Sequence, residues 1–200
     1  GNPGCYPTAA LLAVIPLLRS GRVRARGIVL DAKSGVSGAG RGATMGTHFS
    51  EVNETVKPYN VGGHRHTPEI EQELAAQAGA PVAVTFTPHL VPMTRGILVT
   101  AYLPLAGALT TDEATAILRE AYAGEPFVRV LDGDLPQTKA TTGSNFCDVA
   151  ARVDPRTETA VAMGALDNLV KGASGQAVQN MNVMFGFPET LGLRAPGLYP

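Results

Sequence analysis

A cysteine placed directly after a glycine, and a His-x-His pair some sixty residues later, are the side chains of this sequence best suited to covalent chemistry. Cys5 follows Gly4 and opens a run, Cys5 to Leu18, that reads as a helix. Unpaired main-chain N–H groups and the macrodipole at a helix start favour an anion, so the position predicts a thiolate more accessible than that of free cysteine. Such a thiol is a competent nucleophile. The same N–H groups suit an oxyanion formed when the sulfur attacks a carbonyl carbon. Position alone leaves a plainer reading open, in which Cys5 is a small buried hydrophobe. Cys147 lies inside a strand-like run and reads as core.

His64 and His66, two of four histidines, flank Arg65. Thr67, Pro68 and Glu69 follow in N-cap, N1 and N2 order for a helix, with Glu69 against its positive end. Imidazole is matched to proton transfer near neutrality, and a thiol nucleophile needs such a base, so a Cys and His pair is the simplest reading. A rival is a metal site of His64 and His66 with His48 or His89; without an Asp or Cys set at ligand spacing it is weak, and no metal is expected. In a third reading the two rings merely cap the helix or bond the main chain. Spacing does not rank His64 against His66.

The loop from Ser34 to Ala43, SGVSGAGRGA, contains a formal match to G-x-G-x-x-A. The dinucleotide fingerprint fails, because Thr44 to Asn53 lack the apolar periodicity of the helix that would hold a pyrophosphate. Glycine-rich main chain with two hydroxyls and Arg41 suits a smaller anion, a carboxylate or phosphate. A simple surface turn fits equally well.

These residues must be held by a core, and the composition supplies one. Of 200 residues, 44% are apolar and 16% charged, which excludes disorder over the whole length. Sixteen Lys and Arg against 17 Asp and Glu leave a net charge of -1, too little positive charge for a nucleic-acid reader. The apolar stretch Ala9 to Leu18 is about half of a bilayer span and holds Pro16, so no membrane segment is expected. Two cysteines argue for a reducing compartment, with the cytoplasm as the expected location. The start, GNPGCYPT, carries neither an initiator Met nor an export signal and reads as the beginning of a fragment.

Beyond the first helix, strands are predicted at Gly27 to Ala32, Val82 to Phe86, Ile97 to Leu105, Val128 to Leu131, Phe146 to Val153 and Thr159 to Met163. Thr110 and Glu113 fit a capping box for a helix burying Ala114, Ile117, Leu118 and Ala121. A last helix runs from Gly172 to Asn182. The strands cluster rather than alternate with helices, which predicts a single α+β domain.

Taken together, five segments resemble one family: NPGCYPT (Asn2 to Thr8), DAKSGVSGAGR (Asp31 to Arg41), YNVGGHRHTPEI (Tyr59 to Ile70), FTPHLVPMTRGI (Phe86 to Ile97) and DNLVKGASGQAVQNMN (Asp167 to Asn182). The chain is identified as a member of the N-acetyl-gamma-glutamyl-phosphate reductase family, NADP-linked enzymes of arginine biosynthesis. The resemblance covers the family's catalytic half. It implies that residues 1–200 form a catalytic and oligomerisation domain, with the nucleotide-binding Rossmann domain expected before residue 1. The implied fold is a glyceraldehyde-3-phosphate-dehydrogenase-like C-terminal domain, a mixed, largely antiparallel sheet with flanking helices and a sheet face that makes subunit contacts.

The resemblance further implies an acyl-phosphate substrate reduced to a semialdehyde through a cysteine thioester, with NADP bound mainly outside this chain and the fragment inactive by itself. Cys5 is then the nucleophile, His66 the first choice for acid/base with His64 behind it, and Glu69 an orienting carboxylate. Ser34, Ser37, Gly38, Arg41, His89 and Arg95 are expected at the substrate. Asn168, Gly175 and Gln176 are expected near the nicotinamide. Two other readings stay open: a cysteine hydrolase or acyl transferase that needs no nucleotide, and an inert oligomerisation module.

Overall fold

The apolar run that opens the chain becomes its central helix. A computed structural model describes residues 1–199. In order, the elements are α1 (Cys5–Arg19), β1 (Ile28–Ser34), 3-10 turns at Val36–Ala39 and Met45–Thr47, α2 (Phe49–Val52), β2 (Lys57–Pro58), α3 (Thr67–Ala78), β3 (Val84–Leu90) and β4 (Ile97–Pro104). There follow α4 (Thr111–Ala121), β5 (Val128–Val130), α5 (Thr138–Thr141), β6 (Cys147–Asp154), β7 (Thr159–Leu166), a π turn (Val170–Ser174) and α6 (Gly175–Met184).

The strands form one seven-stranded sheet in the order β2-β3-β1-β4-β7-β6-β5. Only β1 with β3 and β5 with β6 are parallel; the other neighbours are antiparallel. This is the mixed, largely antiparallel α+β sheet that the sequence predicts. Alternation sets its faces: Ile28, Leu30, Ala32 and Ser34 of β1 are buried, as are Ile97, Val99, Ala101 and Leu103 of β4. Helix α1 covers that face, packing on β4 and β7 and against α3 and α4 at its sides. Its Ala9, Ala13, Val14 and Leu17 are fully buried, each large side chain contributing about 1.5–3 kcal/mol by removal from water.

Pro16 stands inside α1, where it removes the hydrogen bond that residue 16 would donate to the Leu12 carbonyl. Tyr122, at the C-terminal cap of α4, donates its hydroxyl to that carbonyl at 2.5 Å. A break in one helix is thus closed by a side chain from another.

Several boundaries differ from the sequence reading. Strand β3 runs on to Leu90, through Pro88, instead of ending at Phe86. The Pro88 carbonyl accepts the Tyr59 N–H, so the proline's missing donor faces the same side, the edge covered only by two-residue β2. Helix α3 begins one residue early: His66 is its N-cap, Thr67 is helical, and Glu69 moves to the third position. Strand β7 extends to Leu166, and the last helix is entered through the π turn.

One end of the sheet gathers the functional segments. Ser34 at the end of β1 lies opposite Leu90 and Ile97, Ile97 opposite Leu166, and Leu166 opposite Cys147.

Candidate active site

Cys5, His64 and His66 share one cavity of about 610 Å³, with Ser34, Gly38 and Tyr59 in its wall and Lys57 and Arg65 as its cations. Helix α1 delivers Cys5. Its N-cap, Gly4, has no side chain to cap with, and donates its own N–H to Glu69 of α3 at 2.8 Å. The carboxylate expected to orient an imidazole therefore bonds the main chain before the nucleophile.

Two glycines permit the close approach. A Cβ on Gly4 would lie 2.6 Å from His66 Nε2, so only glycine lets that ring lie beside the residue preceding Cys5. A Cβ on Gly172 would lie 2.7 Å from Cys5 Cβ, which explains why the π turn can press against the start of α1.

The thiol does not titrate as the helix start alone predicts. Burial raises its pKa above the ordinary thiol value of 9.0, outweighing the main-chain N–H groups of Tyr6 and Cys5 and the Arg65 charge, which pull it down. Glu69 adds to the rise. The expected facile thiolate is thus corrected: the residue is a thiol at neutral pH, and needs a base.

Both imidazoles are held in the basic form. Burial, then the neighbouring His66 and Arg65, push His64 down to about 4. Its Nδ1 accepts the main-chain N–H of His66 at 3.1 Å, which places any ring proton of the neutral form on Nε2. Tyr6, Tyr59 and Phe86 surround the His64 ring edge to face, with centroids 5.5, 5.6 and 5.2 Å away. His66 is also lowered, by burial and then by Arg65, and its Nδ1 is buried without a hydrogen-bond partner. Its Nε2 is the nitrogen beside Gly4.

Sequence reasoning passed over Tyr6, Tyr59, Lys57 and Arg65 as site residues. The Tyr6 and Tyr59 hydroxyls bond each other at 2.9 Å. Burial raises both phenols above their usual range. The signal was within reach: Tyr6 adjoins Cys5, and Arg65 sits between the two histidines.

Of the residues expected at the substrate, Ser34 and Gly38 line the cavity and four others do not. Ser37 accepts a bond from Asn168 at 3.0 Å. Arg41 is exposed outside the cavity wall. Arg95 pairs with buried Asp167 at 3.0 Å. His89 sits on the sheet, 3.2 Å from Asp31. A sheet face holds His89 and a buried carboxylate holds Arg95, both outside the cavity wall.

The residues expected near a nicotinamide are engaged within the chain. Asn168 is buried and makes two side-chain bonds. Gln176 bonds Thr8 and the Lys171 carbonyl, both at 2.9 Å. Gly175 packs on Asn145 and Val170. The histidines of the rival metal reading do not converge: His48 bonds Ser50 and His89 faces Asp31. Among the described residues no three His, Cys, Asp or Glu side chains gather as a metal site. No helix among the described residues is long and apolar enough to cross a membrane.

The mixed sheet with flanking helices is the fold of solved structures named as semialdehyde dehydrogenases. Aspartate semialdehyde dehydrogenase II from Vibrio cholerae superposes with a TM-score of 0.73 at 20% identity, over 92% of this chain and 62% of that one. The aspartate semialdehyde dehydrogenase from Francisella tularensis gives 0.68 at 15% identity, over 92% and 64%. The family model described as semialdehyde dehydrogenase, dimerisation domain, matches residues 5–168, and the chain belongs to that family. Curated relatives named N-acetyl-gamma-glutamyl-phosphate reductase are 62% identical in Symbiobacterium thermophilum and 60% in Pelotomaculum thermopropionicum. The matches span the whole of this chain and 58% of the length of each relative.

Proposed function

We propose that this chain is the catalytic and oligomerisation part of an N-acetyl-gamma-glutamyl-phosphate reductase acting in arginine biosynthesis in the cytoplasm. The observation that carries the reading is the shared cavity of Cys5 and His66, one nitrogen of which faces the residue before the nucleophile. The high identity to reductases of that name supports the substrate class.

In this reading Lys57 and Arg65 draw the anionic acyl phosphate into the cavity. His66 takes the proton from the Cys5 thiol as the sulfur attacks the acyl carbon. The bond to phosphate breaks and a thioester remains on Cys5, while the N–H groups at the start of α1 face the developing oxyanion. Asn168 and Gln176, the polar side chains expected at the dinucleotide, are already bonded to other groups of this chain, so its binding falls to the remaining part of the parent protein, expected before residue 1. NADPH, when bound there, supplies the hydride that reduces the thioester to the semialdehyde. His66, carrying the proton gained from the thiol, returns it as the product forms and sulfur is released. The sheet face opposite α1 is where a second copy docks, consistent with the family's description as a dimerisation domain.

The test is single-turnover acylation of the parent protein with acyl phosphate. Cys5→Ser should abolish phosphate release and thioester formation, and Cys147→Ser should preserve both. Acyl hydrolysis that proceeds with no need of NADPH would favour a cysteine hydrolase instead. The chain by itself should show no reductase turnover.

A further inference from the structure

One wall of the cavity is a loop that does not hold itself in place. The segment from Ser34 to Ala39 has Ser34, Gly35, Gly38 and Ala39 at the cavity, yet its own internal bonding is a 3-10 turn and the Ser34 hydroxyl on the Gly35 carbonyl. Its main chain is stitched outward: Gly35 donates to the Gly96 carbonyl at 2.9 Å, Val36 to Met93 at 3.0 Å and Ser37 to Thr94 at 3.1 Å.

Asn168 joins the two sides of that seam. Its Oδ1 accepts the Gly96 N–H at 2.7 Å and its Nδ2 donates to the Ser37 hydroxyl at 3.0 Å. Neither Asn168 nor Ser37 lines the cavity. Asn168 is 2% exposed, so a lost partner there leaves a desolvated polar group. A neutral amide offers an acceptor to one side and a donor to the other.

Its neighbour makes Asn168 a fixed point. Asp167, fully buried, accepts the N–H groups of Leu169, Val170 and Gly143 and pairs with Arg95. The Gly172 N–H bonds the Asp167 carbonyl at 2.9 Å, and Gly172 is the residue pressed against Cys5. One rigid dipeptide at the end of β7 thus sets both the cavity loop and the turn behind the nucleophile.

We propose that Asn168 is a positioning residue, whose side chain holds the Ser34–Ala39 wall at the distance from Cys5 that acyl-phosphate binding requires. The proposal rests on the reductase reading for its substrate, but the strut itself is independent of it. Ser37 then serves the substrate through the loop's shape and makes no contact of its own, and Asn168 acts without touching a cofactor.

The experiment uses the full-length parent protein with Asn168→Ala, Ser37→Ala, the double variant and Ser37→Thr. Hydrogen exchange at Gly35, Val36 and Ser37 should accelerate in both alanine variants while α1 amides keep their protection. KM for the acyl phosphate should rise about three- to tenfold, the worth of one hydrogen bond, with kcat within about twofold. The double variant should be no worse than the more damaged single one, and Ser37→Thr should keep the wild-type KM. If Asn168→Ala does not fold, Ser37→Ala carries the test. Unchanged exchange and KM in Ser37→Ala, or additive losses in the double variant, would overturn the proposal. Faster loop exchange in a parent protein that lacks reductase activity would support the strut and refute the reductase reading.

Discussion

The main-chain N–H of His66 donates to Nδ1 of His64, two residues before it, at 3.1 Å. That bond divides the labour between two side chains the sequence does not rank. His64 spends one nitrogen on the turn and sits among three aromatic rings, while His66 keeps Nε2 beside Gly4 at the start of the nucleophile's helix.

Replacing His66 by Ala in the parent protein should therefore lower kcat by about 10²–10⁴-fold, the usual worth of a positioned acid/base. Replacing His64 by Phe keeps the aromatic packing and removes only the acceptor for the His66 N–H, so its loss should be at least tenfold smaller, by about the free energy of one hydrogen bond. Steady-state kinetics decides, and a larger loss for His64→Phe would assign the proton transfer to the other ring.

The Cys5 thiol should alkylate with iodoacetamide along a pH curve whose midpoint lies above 9.0, because burial raises it. Glu69→Gln removes a charge that adds to the rise while leaving an oxygen to accept the Gly4 N–H, so the midpoint should move down. Cys147, fully buried and pushed up to about 12, should stay unlabelled until the chain unfolds. Peptide mass spectrometry of labelled protein across pH separates the two sulfurs. A Cys5 midpoint below that of free cysteine would mean that the helix start prevails over burial.

Local chemistry explains which of these features were legible in the sequence. The Thr110 and Glu113 capping box forms as written, with Thr110 accepting the Glu113 N–H and Glu113 accepting the Thr110 N–H. The cysteine at a helix start and the histidines before another helix were readable for the same reason, since caps and turns are signalled within a few residues. Burial of the thiol was not, because it depends on residues as distant as Gly172 and Tyr59. That His89 and Arg95 lie outside the cavity wall was not legible, because a motif's position does not say which way its side chains face. Asp31 and Asp167, their partners, are visible only once β1, β3 and β7 are assembled.

Stability should fall as pH drops through the acidic range, and His64 gives the sign. Its folded pKa of about 4 lies below the ordinary 6.5, so between those values the unfolded chain binds a proton that the folded chain refuses. The stabilisation is complete above pH 6.5 and is lost progressively down to about pH 4. The ring borders an open cavity, so the loss from this residue is about 1–2 kcal/mol after solvent screening. Denaturant titrations of the wild type and His64→Phe at pH 7.0 and 4.5 should show the variant losing less. Equal losses would place the acid sensitivity in other groups.

The proline in α1 provides the last test. Residue 16 has no N–H to give the Leu12 carbonyl, and the Tyr122 hydroxyl takes that role across the interface between α1 and α4. Tyr122→Phe removes only the donor, leaving a carbonyl with no partner inside the protein. The expected cost is about 1 kcal/mol, or a fall in Tm of about 2–4 °C for a chain of this size. The assignment to Leu12 is checked with Pro16→Ala, which restores the helical N–H at residue 16. In that background the carbonyl is already satisfied, so Tyr122→Phe should cost less than half as much. The two substitutions share one acceptor and must couple. An undiminished cost in the Pro16→Ala background would mean that the tyrosine stabilises α1 by packing alone, and that the Leu12 carbonyl is satisfied by some other group.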